Sequence, residues 1–246
     1  MPDEISWQKI LGRGLRCVRL RASGFVLEIA KRLDLMKPNV DRRIAELLCS
    51  RICHELVAGI AAINNGVELI REIDASMFDE AMGLIDGSAK QASARIQYYR
   101  MAYGFAGHDA LQGMMAIREL AEGLVESEER FEVSLPDTAA AGDLTSGAGK
   151  LILNLIVFAM DCLPRGGKIT ADVHMVEGRP CIIVMGEGQE ARLSDRCAAA
   201  IAPDVADDDV TALNIHAYFT AALAAEIGNG LIAEISGTTA TLRVPL

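Results

Sequence analysis

Residues Arg51 to Leu69 read R-I-C-H-E-L-V-A-G-I-A-A-I-N-N-G-V-E-L. Through and around this stretch Ile44, Leu48, Ile52, Leu56, Ile60, Ile63, Val67 and Ile70 recur at spacings of three and four, the single apolar stripe of an amphipathic helix. At about 100° per residue, His54 lies roughly opposite the centre of that stripe. An imidazole held toward water on a rigid helix is available for chemistry. Its face is unusual for a solvated surface, since it carries Leu47, Val57, Ala58 and Ala61, with Arg51 one turn before and Asn65 three turns after. Small side chains around one nucleophile leave room for a partner to dock. Gly59 and Gly66 each cost about 1 kcal/mol relative to alanine in a helix interior. They point to close helix approach or to a softened segment just below His54.

Outward from this helix, expected over Val40 to Glu72, a second apolar pattern covers Ser76 to Tyr103. There Phe78, Met82, Ile85, Ala89, Ala92, Ile96, Tyr99 and Tyr103 alternate at four and three, the seam of a coiled coil. Two such helices joined by a short turn make an antiparallel hairpin, which cannot enclose its own core. A second copy of the chain is therefore expected to complete it, giving a homodimeric four-helix bundle through residues 40 to 105.

After Gly104-Phe105-Ala106-Gly107 the period changes. Helices are expected over Asp109 to Glu126, Asp143 to Leu163 and Val210 to Ile227. Strands are expected over Arg130 to Leu135, Lys168 to Met175, Cys181 to Met185, Leu231 to Ile235 and Thr239 to Val244. Mixed in this way they read as an α+β chain whose tail is an α/β sandwich, one sheet covered by helices. Asp204 to Asp209, with four aspartates, reads as a solvated loop. The expected domains are an N-terminal extension over 1–36, the hairpin over 37–107 and the sandwich over 108–246. The extension carries seven basic residues (Lys9, Arg13, Arg16, Arg19, Arg21, Lys31, Arg32) against four acidic ones, a local +3. It reads as an appendage or as the product of an upstream start, with Met36 the alternative, in preference to a targeting or membrane-surface helix.

Composition narrows the function. With 246 residues, 51% of them hydrophobic, the chain can bury sizeable cores. A net charge of −10 argues against a sequence-independent grip on nucleic acid or on an anionic membrane surface. Six cysteines (Cys17, Cys49, Cys53, Cys162, Cys181, Cys197) lack paired zinc spacing, and no signal peptide precedes them, so reduced thiols in the cytoplasm are expected. Apolar runs such as Leu151 to Met160 fall far short of the roughly 20 residues a membrane span needs. The partners should be proteins or small molecules.

The hairpin, the exposed His54-Glu55 and the α/β tail together resemble sensor histidine kinases, and more closely the ChpT-type histidine phosphotransferases of alphaproteobacteria. The resemblance is carried by His54-Glu55-Leu56, by A-I-N-N-G-V-E-L (Ala62 to Leu69) and by R-I-Q-Y-Y-R-M-A-Y-G (Arg95 to Gly104). It continues in K-L-I-L-N-L-I-V-F-A-M-D-C-L-P-R-G-G (Lys150 to Gly167) and N-I-H-A-Y-F-T-A-A-L-A (Asn214 to Ala224). It spans about residues 40 to 246. Ala58 and Gly59 depart from the Gly-Pro often found after the histidine segment in this family.

Set against kinase nucleotide sites, the resemblance implies a degenerate ATPase-like fold. Asn154 matches the first part of the asparagine box, but Phe158 stands where a kinase places the asparagine that holds Mg²⁺. Gly186 takes the place of the adenine-reading aspartate and Glu190 that of a phosphate-loop glycine. The lid is replaced by Ala206 to Asn214, whose carboxylates would repel a triphosphate. The resemblance implies no cofactor of the chain's own, the Mg²⁺ being supplied by a partner receiver domain. It implies phosphoryl relay from the receiver of a hybrid histidine kinase to response regulators of the CtrA-like cell-cycle type.

Phosphoryl transfer needs a nucleophile, in-line geometry and charge neutralisation. His54 Nε2 can attack an aspartyl phosphate, and Glu55 is expected to take the Nδ1 proton or orient the ring, although adjacent helix positions do not naturally face each other. Arg51 is expected to balance phosphoryl charge or to meet acidic groups of the receiver. Ala58, Ala61 and Asn65 complete the expected docking face. Other motifs fail on spacing: a zincin needs histidine where Ala58 stands, and Gly147 to Lys150 lacks the first P-loop glycine, position 144 being Leu144. Cys49, Cys53 and His54 are too few for a closed zinc site. His108, His174 and His216 default to structural roles. Two alternatives stand beside the relay: an ATP-dependent kinase with a divergent nucleotide site, and a non-catalytic scaffold that sequesters receivers.

Overall fold

Two long antiparallel helices, α1 (Arg42–Glu72) and α2 (Phe78–Ala102), lead the chain. They pack through small residues. A Cβ added to Gly59 would stand 3.3 Å from Ala92 Cβ, and one added to Gly66 would meet Ile85 Cγ1 at 2.5 Å. The two interior glycines thus serve close helix approach. Asp79 and Glu80 sit in the first turn of α2, where the helix dipole favours negative charge. At its other end Lys150 Nζ donates to the carbonyls of Tyr103 (3.5 Å) and Gly104 (3.3 Å). This computed structural model describes residues 42–72, 77–105, 111, 113–126, 128 and 130–246. The expected N-terminal extension, the first residues of both hairpin helices, the 107/108 domain boundary and His108 lie outside them.

The hairpin leads into α3 (Met114–Val125), β1 (Phe131–Ser134), α4 (Ala148–Asp161), β2 (Gly167–Val176) and β3 (Arg179–Glu187). A short α5 (Asp195–Ala200), a 3₁₀ turn at Asp207–Asp209, α6 (Ile215–Ile227), β4 (Ile232–Ser236) and β5 (Thr239–Pro245) complete it. The strands form one sheet in the order β1-β2-β3-β5-β4, with β1 parallel to β2 and every other pairing antiparallel. Alternation explains its faces: Ile169, Ala171, Val173, Ile182, Val184, Ala240, Leu242 and Val244 are buried on the helix side. The expected α+β class, with a hairpin ahead of an α/β sandwich, is the fold observed.

Helix α4 is apolar all round because it is covered all round. It lies against β2, β3 and β5 on one side and against α2, α3 and α6 on the other, so Ala148 through Ala159 are buried except Lys150. Three helix starts fall later in the chain than the periodicity indicated: α3 begins at Met114 rather than Asp109, after Gly113 in an extended conformation (φ −143, ψ +147). α4 begins at Ala148 rather than Asp143, because Gly147 takes φ +80, a left-handed conformation that breaks the helix and that glycine adopts without strain. α6 begins at Ile215 rather than Val210, because the Asn214 carboxamide oxygen accepts from Thr211 N (2.7 Å) and Oγ1 (3.1 Å), giving the backbone a turn in place of a helix. Helix α5, unmarked by periodicity, is capped by Ser194, whose Oγ accepts from Cys197 N at 3.4 Å.

Candidate functional site

Three faces of α1 can be told apart. Gly59, Gly66 and Ile52 turn toward α2, and an outer flank carries Ile60 and Val67, still 51% and 38% exposed. The third face carries His54 with Ala58, Ala61 and Asn65, all exposed. The predicted phosphoacceptor face is thus open to solvent, with exposed Val57 between it and the Ile60 and Val67 flank.

Glu55 and Arg51 are placed differently from that face, half-buried between α1 and its neighbours. Arg95 of α2 donates through Nη1 to the Glu55 carbonyl (3.2 Å) and stands 4.0 Å from its Oε2. Its stronger bond is from Nη2 to Glu128 Oε1, at 2.7 Å. The Glu55 carboxylate therefore rests on the seam, about 100° round the helix from His54. Arg51 reaches the sandwich, where Nη2 donates to both oxygens of Asp161, at 3.3 and 3.4 Å. Arg43 does the same further up, bonding Asp208 Oδ1 (3.2 Å) and the Val210 carbonyl (3.1 Å), so the aspartate-rich loop is tied to α1. Arg95, Glu128 and Asp161 escaped the sequence reading, because nothing in a local pattern announces a partner 33 or 110 residues away.

A buried polar chain joins α2 to α4 and α6. Tyr103 Oη lies 2.7 Å from His216 Nδ1, and His216 Nε2 lies 2.9 Å from the Asn154 carbonyl. A carbonyl only accepts, so Nε2 carries the proton and Nδ1 accepts from the phenol. Burial, and then the charge of Arg51, push the imidazole down to about 3, which keeps it neutral. Burial pushes the Tyr99 and Tyr103 phenols well above their ordinary value. The Asn154 amide donates to the carbonyls of Ala102 (2.7 Å) and Lys150 (2.8 Å), and Tyr98 Oη to that of Leu153 (2.6 Å). His216 is thus structural; His174 is half-exposed beside Asp172.

The positions compared with a nucleotide site have other work. Phe158 is fully buried. A Cβ at Gly186 would meet Leu163 Cδ1 at 2.9 Å, so the space of an adenine-reading side chain is filled from the end of α4. Glu190 keeps a glycine-like φ of +59 while pairing with Arg165 at 3.0 Å. Among the described residues no three His, Cys, Asp or Glu side chains converge as a metal site, and no helix is long and apolar enough to cross a membrane.

Comparison with known proteins gives the class first. The family profile of the histidine phosphotransferase C-terminal domain matches residues 114–239, and the chain belongs to that phosphotransferase family. Among individual proteins it is similar to Protein phosphotransferase ChpT of Brucella abortus (strain 2308). The two are 30% identical over 188 residues, which cover 75% of this chain and 87% of the relative. It also matches a solved structure described as "1.7 Angstrom Structure of a Bacterial Phosphotransferase", with a TM-score of 0.68 and 27% identity, covering 82% of this chain and 96% of that one.

Proposed function

We propose that this phosphotransferase relays phosphoryl groups through His54, from the receiver domain of a hybrid histidine kinase to response regulators of the CtrA-like kind. The observation that carries the reading is the open third face of α1, where His54 stands among Ala58, Ala61 and Asn65. Residues at i, i+4, i+7 and i+11 share one helix face, so a partner approaching the imidazole from that side meets alanine and asparagine, with exposed Val57 one turn on as an apolar contact. Nε2 is the nucleophile. Glu55, loosely held at 4.0 Å from Arg95, takes or orients the Nδ1 proton from a rotamer turned toward the ring. Arg51 offsets phosphoryl charge, Mg²⁺ arrives with the receiver, and the chain needs no cofactor of its own. The packing of Leu163 under Gly186 and the use of Asn154 as a clasp support a relay without ATP.

The working form in this reading is a homodimer in the cytoplasm. Phe78, Met82 and Ile96 of α2 are 46%, 44% and 50% exposed. Measured from the seam residues Ala92 and Ile85, they lie about 20–80° round their helix, and Ile60 and Val67 lie about 80–120° round theirs from Gly59 and Gly66, with the same hand, so the two apolar flanks form one side of the hairpin. A second copy would cover it. The five cysteines described are unpaired, as reduced thiols in that compartment would be, and the net charge of −10 disfavours nucleic acid and anionic membranes as partners.

The test incubates the protein with [γ-³²P]ATP alone, then with a ³²P-charged hybrid-kinase receiver, beside His54→Ala. Label is expected from the receiver only, and only with His54 present. Label from ATP alone would establish a kinase. A receiver that binds yet never labels the chain would make the protein a scaffold.

A further inference from the structure

The ion pair between Arg51 and Asp161 ties the helix that carries the proposed phosphoacceptor to the sandwich. Arg51 precedes His54 by three residues on α1, and residues three apart are neighbours on a helix surface. The two side chains are 17% and 31% exposed, sheltered but in reach of water. Only Nη2 is engaged, by both carboxylate oxygens. Among the described residues the Nε and Nη1 donors hold no other hydrogen bond. Asp161 is the last residue of α4, the end at which the helix dipole disfavours a carboxylate, and α4 is the most enclosed helix described. An arginine loose on a helix samples many rotamers, whereas one pinned from a rigid neighbour keeps its planar fork in one place.

We propose that Asp161 is a positioning residue for phosphoryl transfer, anchoring Arg51 so that its remaining N–H donors meet the phosphoryl group passing to and from His54. This rests on the relay reading above. In the step itself the Nε2 lone pair forms an N–P bond while the P–O bond to the receiver's aspartate breaks. The bonding pair stays on that oxygen as a carboxylate, and no oxidation state changes. The ring gains positive charge, which is discharged when the Nδ1 proton leaves to Glu55. Charge on the group in flight is spread over its equatorial oxygens, the atoms a fixed guanidinium can serve by charge-assisted hydrogen bonds. Asp161 never touches the phosphoryl group and acts only through Arg51.

Potassium phosphoramidate, a small N–P donor, probes this without a protein partner. Labelling is followed by ³¹P NMR and mass spectrometry, with half-exposed His174 as the internal control. The wild type is expected to label at His54 faster than at His174. Asp161→Asn is expected to slow His54 by about tenfold or more, the size of effect that misplacing a positioned group produces, with His174 unchanged; Asp161→Glu restores most of the rate. Arg51→Lys, which keeps the charge but lacks the fork, is expected to be slow. The exchange of charges, Arg51→Asp with Asp161→Arg, should recover the thermal midpoint yet stay slow. Wild-type labelling by Asp161→Asn, or recovery of rate by the exchange, would reduce the pair to a structural joint and overturn the proposal. A wild type whose His54 labels no faster than His174 would instead count against the relay reading itself.

Discussion

Acid should find His216 before it finds most of the fold. The ring is fully buried, donates from Nε2 to the Asn154 carbonyl and accepts at Nδ1 from Tyr103. Its folded value lies near 3, against 6.5 ordinarily. Above pH 6.5 neither the folded nor the unfolded chain protonates this residue, so it adds no pH dependence. Below 6.5 the unfolded chain binds a proton that the folded chain refuses until about pH 3, so stability falls as pH falls through that window. At 1.36 kcal/mol per pH unit the loss is about 2 kcal/mol at pH 5. The perturbation is His216→Gln, which can keep one of the two hydrogen bonds and does not titrate. Its baseline stability should drop by about 1–3 kcal/mol. The assay is urea unfolding followed by circular dichroism at pH 7.5, 6.5, 5.5 and 5.0. Between the extremes the wild type should lose about 2 kcal/mol more than the variant. Parallel pH dependences would refute the reasoning, for they would mean that the folded state admits the proton.

Two further outcomes are expected. Gly186→Asp, which restores the kinase aspartate, forces a Cβ to within 2.9 Å of Leu163 Cδ1 and buries a charge. It should cost about 3 kcal/mol or more and create no affinity for a fluorescent ATP analogue, read by thermal melting and titration; nucleotide binding would contradict the packing account. Ile60→Asp with Ile96→Asp places charge on both exposed flanks of the hairpin. Sedimentation should then report the 26.4 kDa chain rather than twice that mass, and a wild type that already sediments as a monomer would dispose of the dimer.

Much of this architecture could be read from periodicity, since the stripes of α1 and α2 and the alternation of β2, β3 and β5 are local signals. Helix starts were less legible. Gly147 and Asn214 end a pattern by backbone conformation and side-chain hydrogen bonding while the apolar spacing runs on past them. The site divides in the same way. His54 stands out because exposure on a helix follows from 100° per residue, and the small neighbours come with it. Glu55 and Arg51 were assigned to the imidazole by sequence proximity, whereas in the fold they also serve Arg95 and Asp161, partners that depend on tertiary packing. Gly66 gave an ambiguous signal that only the neighbouring Ile85 resolves.

The open face of α1 has a kinetic corollary. Under the proposed relay, a donor and an acceptor receiver would have to occupy the same patch of Ala58, Ala61 and Asn65 at any one His54, so they would take turns. Exchange at such a junction is ping-pong. Tyr98, Asn154 and His216 join the sandwich to the hairpin by buried hydrogen bonds on the inner side of α2 and α4, none of which involves that patch. Flux through the junction would then be governed by the relative abundance and residence times of the competing receivers, and an excess of unphosphorylated acceptor would throttle the traffic it is meant to receive.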